Sequence, residues 1–330
     1  MSTWMRLAVA AAAPLKRLDT RSPMLERVLD LPLTNQDVSM VRQAGTNVRL
    51  GAYYHWYLQK LFVARSIKGL NRERALALID SIDHTDYAAA QQIIDSPTGV
   101  LIAIPHHAHY VLSMTALACH VGKHRKVKVF YGQPSTHKGN EVFDHLHRVL
   151  FGADNTVVEV IHDTRQGLAK ALKGLKDGDV VFIMPDAFQD EDLTLLIRFC
   201  GRLIGTMLGT AILARRTGSW ILPAVSQVHG AGLGFKTWFG RRIEHPLDHN
   251  APLSAGQIKV ADFGVTSRMF KQFEQQMSSQ LYLWQHLRHH IASRVQMDLA
   301  SPADIPSMLD ALAQSPPFKN PDLVLDLRAP

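Results

Sequence analysis

An α/β fold is what this 330-residue sequence predicts: a mixed, largely parallel sheet flanked by helices, with an N-terminal helical region and a long C-terminal helix. Three observations carry that prediction. From Pro97 onward, short β-branched apolar runs alternate with segments of helical periodicity, the pattern of strands joined by crossover helices. Two of the runs end at prolines, Pro105 and Pro185, where a strand must give out. Hydrophobic residues make up 46% of the chain, enough for a substantial buried core. The divisions expected are a helical region over 1–95, an α/β core with its closing helix over 96–300, and a Pro-rich tail over 301–330, all in one structural unit.

In chain order, "MSTWMRLAVAAAAPLKRL" holds an apolar run from Leu7 to Leu15 between basic residues. That is far short of the roughly 20 residues of a spanning helix, and it reads as a surface helix suited to lying on a membrane. Residues 21–95 read as helices, with Tyr53, Tyr54, Trp56, Tyr57 and Phe62 clustered in one part. Such a cluster is either core packing or one wall of an apolar ligand pocket, in which Tyr54 and Trp56 are the candidate contacts. Strands are expected at "GVLIAI", "VKVFYG", "NTVVEVI", "DVVFIMP" and "SWILPAVSQV". Between them stand the helices "VLSMTALACHV", "NEVFDHLHRVLF", "RQGLAKALKGLK" and "GTAILARRTG". A long helix from about Ala261 to Val295 packs across the sheet, and six of the 16 prolines fall after Ser301.

Composition narrows the partners. Lys and Arg exceed Asp and Glu by 36 to 29, a formal charge of +7 that favours anionic partners. Aromatic residues do not interleave with basic ones, and no zinc-finger or basic-zipper spacing occurs, so nucleic acid is not expected. Cys119 and Cys200 both lie in apolar surroundings and read as buried thiols of a reducing compartment.

Chemistry concentrates where the first strand ends. His106, His107 and His109 follow Pro105 within "IPHHAHYVL". In a largely parallel sheet, ligands sit at the carboxyl ends of strands, which makes "HHAHY" and "DAFQD" candidates for one site. No H-E-x-x-H motif or pair of carboxylates accompanies the histidines, so no metal is expected. One histidine just ahead of a helix suits a general base, because the helix dipole disfavours imidazolium there and keeps the ring neutral.

The chain resembles the bacterial lipid A biosynthesis acyltransferases of the glycerolipid acyltransferase superfamily. Their motif, His-Phe-Gly-Asn-Trp-Glu or a variant, is matched by His106, His107, Ala108, His109, Tyr110 and Val111. "LKDGDVVFIMPD" resembles the second strand block, ending in Asp186. The third block is matched by Phe199, Gly201, Thr206, Gly209, Leu213 and Ala214, and "QLYLWQHLR" carries Trp284, His286 and Arg288 in register. The likeness runs over about residues 35–290. It implies acyl transfer from a thioester on phosphopantetheine, borne by an acyl carrier protein or CoA, to a hydroxyl or amine, with no other cofactor. An acidic carrier protein is the implied partner, and the implied location is cytoplasmic or peripheral on the inner face of the cytoplasmic membrane. His106 takes the place of the base, Asp186 and His109 are further catalytic candidates, and Tyr110, Val111, Arg198, Arg202 and Thr206 are candidate substrate contacts.

Val111 occupies the position of the family's acid and cannot accept a hydrogen bond. Three explanations stand side by side. Asp186 or His109 replaces the carboxylate; the acceptor is an amine, which demands less of the base; or the fold is kept only to bind an acyl chain or carrier domain. Trp284, His286 and Arg288 are expected to anchor the last helix.

Overall fold

A computed structural model describes residues 63–85, 87–132, 141–152, 157–186, 194–199, 202–229, 234–247 and 254–286. The N-terminal apolar run, the aromatic segment 53–62 with Tyr54 and Trp56, Cys200, Arg288 and the Pro-rich tail lie outside these residues. The elements in order are α1 (Arg72–Asp80), β1 (Asp83–Thr85), α2 (Tyr87–Ile94), β2 (Val100–Ala103), α3 (Tyr110–Val121), β3 (Val127–Phe130), α4 (Glu141–Phe151), β4 (Val158–Ile161) and α5 (Arg165–Lys176). There follow β5 (Val180–Ile183), β6 (Thr194–Phe199), β7 (Arg202–Met207), α6 (Gly209–Thr217), β8 (Trp220–His229), β9 (Gly234–Phe239), α7 (Ala255–Met277) and a 3-10 segment, Ser278–Leu283.

Seven strands form one sheet in the order β1-β9-β8-β2-β5-β3-β4, and all neighbours run parallel except β8 and β9. β6 and β7 form a separate antiparallel hairpin. The sheet is mixed, largely parallel and flanked by helices, as the alternating pattern requires. All five expected strands are present as β2, β3, β4, β5 and β8, and the four helices between them as α3, α4, α5 and α6.

Side-chain alternation divides the central strands between two cores. Leu101, Ala103, Val181 and Ile221 face a layer built by α5, α6 and α7, in which Ala171, Leu175, Ala211, Ala214, Val265 and Phe270 are buried. Val100, Ile102, Val180, Phe182 and Leu222 face α2, α3 and α4 through Ile94, Met114, Leu117 and Phe143. A third cluster lies outside that layer, where Ile79 of α1 meets Leu112 and Leu146. Three helix starts among the described residues are set by side chains that accept the free N–H groups of the first turn. Asn71 caps α1, Thr164 caps α5, and Ser254 with Gln257 forms a reciprocal capping box on α7.

Two expectations need correction. The region before residue 95 is not wholly helical, because β1 adds to the sheet edge beside β9 between α1 and α2. The closing helix starts at Ala255 rather than Ala261 and ends at Met277, beyond which the chain tightens into a 3-10 turn broken at Gln280 (φ −134°, ψ 31°). The cause is tertiary. Gln280 turns its amide onto β8, donating through Nε2 to the Val228 carbonyl at 2.7 Å and accepting from the Val228 N–H at 3.4 Å. Among the described residues no helix is long and apolar enough to cross a membrane.

A histidine–aspartate pair at the carboxyl edge of the sheet

β2 and β5 are parallel neighbours, with Ala103 level with Ile183. Carried three residues on, that register sets His106 level with Asp186, and both leave the sheet at its carboxyl edge. The Ile104 N–H still donates to the Ile183 carbonyl at 3.0 Å, which extends the ladder toward the pair. Pro105 and Pro185 then end regular pairing, since neither offers an N–H.

Asp186 is 1% exposed and receives three hydrogen bonds. The backbone N–H of His106 donates to Oδ2 at 2.8 Å, the indole Nε1–H of Trp284 donates to Oδ2 at 2.8 Å, and Nδ1 of His106 lies 2.7 Å from Oδ1. Burial alone would push this carboxyl up. The charge of His106, its hydrogen bond, the charge of His286 and the indole N–H outweigh burial and hold Asp186 well below the usual carboxylate range. An ionised Asp186 makes Nδ1 of His106 the protonated nitrogen. Nε2 is then an acceptor, and among the described residues it has no hydrogen-bond partner. The His106 side chain is 17% exposed, so this lone pair is open to a ligand.

The other two histidines of the cluster make their contacts elsewhere. His107 is fully buried, its Nδ1 lying 2.7 Å from the Ser226 carbonyl and its Nε2 2.9 Å from that of Gln280. His109 is 7% exposed and packs edge-on against Phe235 of β9, with ring centroids 4.8 Å apart. Between them Ala108 adopts φ +50°, a left-handed conformation that glycine takes freely and that strains an L side chain. That sharp turn sends three neighbouring imidazoles in different directions.

The remaining candidates divide. Tyr110 meets the His106 ring at 4.7 Å and 63°, and its hydroxyl pairs with that of Tyr131. Burial, then the negative charge of Asp186, pushes the Tyr110 phenol up, so it stays protonated. Val111 is half-buried and packs among apolar side chains of two clusters. Thr206 is buried, and its hydroxyl donates to the Pro185 carbonyl at 3.4 Å, beneath the turn that carries Asp186. Arg198 and Arg202 occupy the β6–β7 hairpin, in register with Leu203 and Phe199. Of the two substitutes considered for the missing acid, Asp186 is the one at hydrogen-bond distance from His106.

Two residues read as helix anchors belong to this site instead. Trp284 is extended beyond the 3-10 turn, holds Asp186, and forms an isolated bridge with His107. His286 packs edge-on against His106 with centroids 4.6 Å apart. The spacing Trp-x-His in "LYLWQHLR" was the available signal. His106, Asp186 and His286 offer ligand atoms within 4.8 Å of one another, a donor set that suits zinc. The 2.7 Å contact of His106 with Asp186 is a hydrogen bond, however, shorter than the roughly 3 Å between two ligands of one ion at zinc's bond lengths. Three donors already engage the carboxylate, so the geometry favours a proton-handling pair.

Fold and site together define an α/β protein with a histidine–aspartate pair just beyond the ends of two adjacent parallel strands. No protein-family model matches the chain, and no curated protein matches it.

Burial makes an expectation for pH. It lowers the proton affinity of His107, His245 and His84 below the ordinary value of 6.5. The unfolded chain therefore binds more protons than the folded one just below pH 6.5, and stability falls as pH drops through that range. Thermal unfolding followed from about pH 7.5 to about pH 5.5 should show a falling Tm. A flat or rising Tm would show that these rings are not buried in the neutral form.

Proposed function

We propose that the chain is an acyltransferase, moving an acyl chain from a thioester on an acyl carrier protein or CoA to a hydroxyl or amine acceptor. One observation carries the reading: the 2.7 Å contact between His106 Nδ1 and Asp186 Oδ1, which leaves Nε2 as a free base at the edge of the sheet. The likeness of residues 106–111 to the acyltransferase motif supplies the reaction class, and Ala108, at φ +50°, stands where that motif has glycine.

In this reading Nε2 of His106 takes the proton of the acceptor as its oxygen or nitrogen attacks the thioester carbonyl. The tetrahedral intermediate collapses, its C–S bond breaks, and the departing thiolate takes the proton back from the imidazolium. Asp186 holds the ring in the productive tautomer and stabilises the imidazolium that forms. With a carboxylate on Nδ1 the base is equipped for a hydroxyl acceptor, which needs deprotonation more than a neutral amine does. In this reading Asp186, just beyond the neighbouring strand, takes the part of the acid that Val111 cannot play. The surplus of basic residues favours an acidic carrier protein as donor. The reading carries with it a cytoplasmic location, at most peripheral on the membrane.

The test uses a panel of carrier-protein and CoA thioesters of varied chain length with hydroxyl and amine acceptors. Wild-type protein should consume thioester and form ester or amide, and His106→Ala should lower the rate about 10³- to 10⁴-fold. Full activity in His106→Ala, or no turnover with any donor, would defeat the assignment.

A further inference from the structure

We propose that Trp284 is a positioning residue, whose indole N–H, delivered by the C-terminal strap, sets how tightly Asp186 holds the His106 ring. The strap is residues 280–286, and it is tied down along its length. Gln280 grips the backbone of Val228, and its carbonyl faces Nε2 of His107 at 2.9 Å. The Ala108 N–H donates to the Leu283 carbonyl at 3.1 Å, and the Gln285 N–H donates to the His106 carbonyl at 2.9 Å. These bonds lay the strap across the His106–Ala108 backbone. The Trp284 ring, 2% exposed, packs on Phe199 at 5.1 Å while its N–H reaches Asp186.

The distribution of donors gives Trp284 its role. Oδ2 accepts both the His106 backbone N–H and the indole N–H, whereas among the described residues Oδ1 is hydrogen-bonded by Nδ1 of His106 alone. Two donors on Oδ2 draw negative charge toward it and away from the imidazole. Without the indole donor, that charge returns to Oδ1, the Nδ1–H···Oδ1 bond tightens, and the imidazolium holds its proton more strongly. The other groups about the pair are Tyr110 from α3, with Tyr131 behind it, His286 from the strap, and His107 next in the chain. None of these occupies the place of the indole on Oδ2. An indole that served packing alone would meet its N–H requirement anywhere, whereas this one spends it on the carboxylate that orients the base.

The experiment compares wild type with Trp284→Phe and with 3-benzothienylalanine at position 284, which keeps the ring shape and replaces N–H by sulfur. The first readout is the downfield proton resonance of the His106 Nδ1–H, assigned by its loss in His106→Asn and independent of any turnover. It should move further downfield in both variants. The second is the pH–rate profile, whose acidic limb should move to higher pH by roughly half a unit, about a threefold change in proton affinity. If the benzothienyl variant leaves the resonance where it was, the proposal is overturned, whatever Trp284→Phe does to folding. Only the kinetic arm rests on the acyltransferase reading: absence of turnover in wild type defeats that reading, while the resonance still judges Trp284.

Discussion

Asp186→Asn is expected to lower kcat for the proposed acyl transfer about 10³- to 10⁴-fold with little change in KM, the largest loss foreseen for a change of so few atoms. The reason lies in hydrogen-bond inventory. Asp186 accepts from three directions, two at Oδ2 and one at Oδ1. Asparagine has one acceptor oxygen, which the two fixed donors, the His106 backbone N–H and the Trp284 indole, will claim. Its NH₂ is then left facing Nδ1 of His106, and two donors cannot share that contact. The imidazole resolves the conflict by moving its proton to Nε2, which removes the lone pair that should take the acceptor's proton. Nitrogen NMR of the imidazole should report the exchanged tautomer, and steady-state kinetics the lost kcat. A variant within tenfold of wild type would mean that Asp186 is not the acid. Restoring the motif's acid by Val111→Asp in the same background should not recover the rate, since position 111 packs among apolar side chains of two clusters.

The parts of this site that were legible in the sequence are those fixed by chain-local physics. β2 and β5 announce themselves as β-branched runs ending in proline, and a histidine and an aspartate follow directly. Their register was not legible. That Ala103 lies level with Ile183 depends on which strands become neighbours and on how their side chains interlock, and only this brings together residues 80 apart. β1 was missed because "DHT" has no apolar character of its own and is a strand by virtue of its pairing with Lys236–Trp238. The β6–β7 hairpin could have been read: "TLLIRF" and "RLIGTM" are apolar runs around the two residues Cys200 and Gly201, a turn-length gap. Trp284 was harder, because its partners are set by tertiary structure: Gln280 turns onto Val228 of β8, and the indole reaches Asp186 three residues beyond β5.

A second histidine–aspartate pair in the same fold shows what separates chemistry from architecture, and it carries the largest expected effect on stability. Asp262 of α7 is 2% exposed and accepts Arg215 of α6 in a two-point contact, Nε to Oδ1 at 2.9 Å and Nη2 to Oδ2 at 3.1 Å. Nε2 of His245 also donates to Oδ1, at 2.8 Å, while its Nδ1 accepts the Leu247 N–H at 3.2 Å. That backbone donor fixes the neutral tautomer, and burial disfavours a second proton. Both ring nitrogens are therefore spent and the side chain is 3% exposed, whereas His106 keeps one nitrogen open at 17%. Proximity of imidazole to carboxylate is common to the two; an available lone pair is not. Asp262→Ala strips the partner from a half-buried guanidinium and from a buried imidazole N–H, and should cost about 3 kcal/mol. In urea the midpoint should fall with the slope m unchanged, and the proposed acyl transfer should persist wherever the variant remains folded. Pairing it with Arg215→Met removes the orphaned charge, and the double variant should regain most of the loss. A loss below about 1 kcal/mol for Asp262→Ala would show that water reaches the cluster and screens it as it does a surface pair.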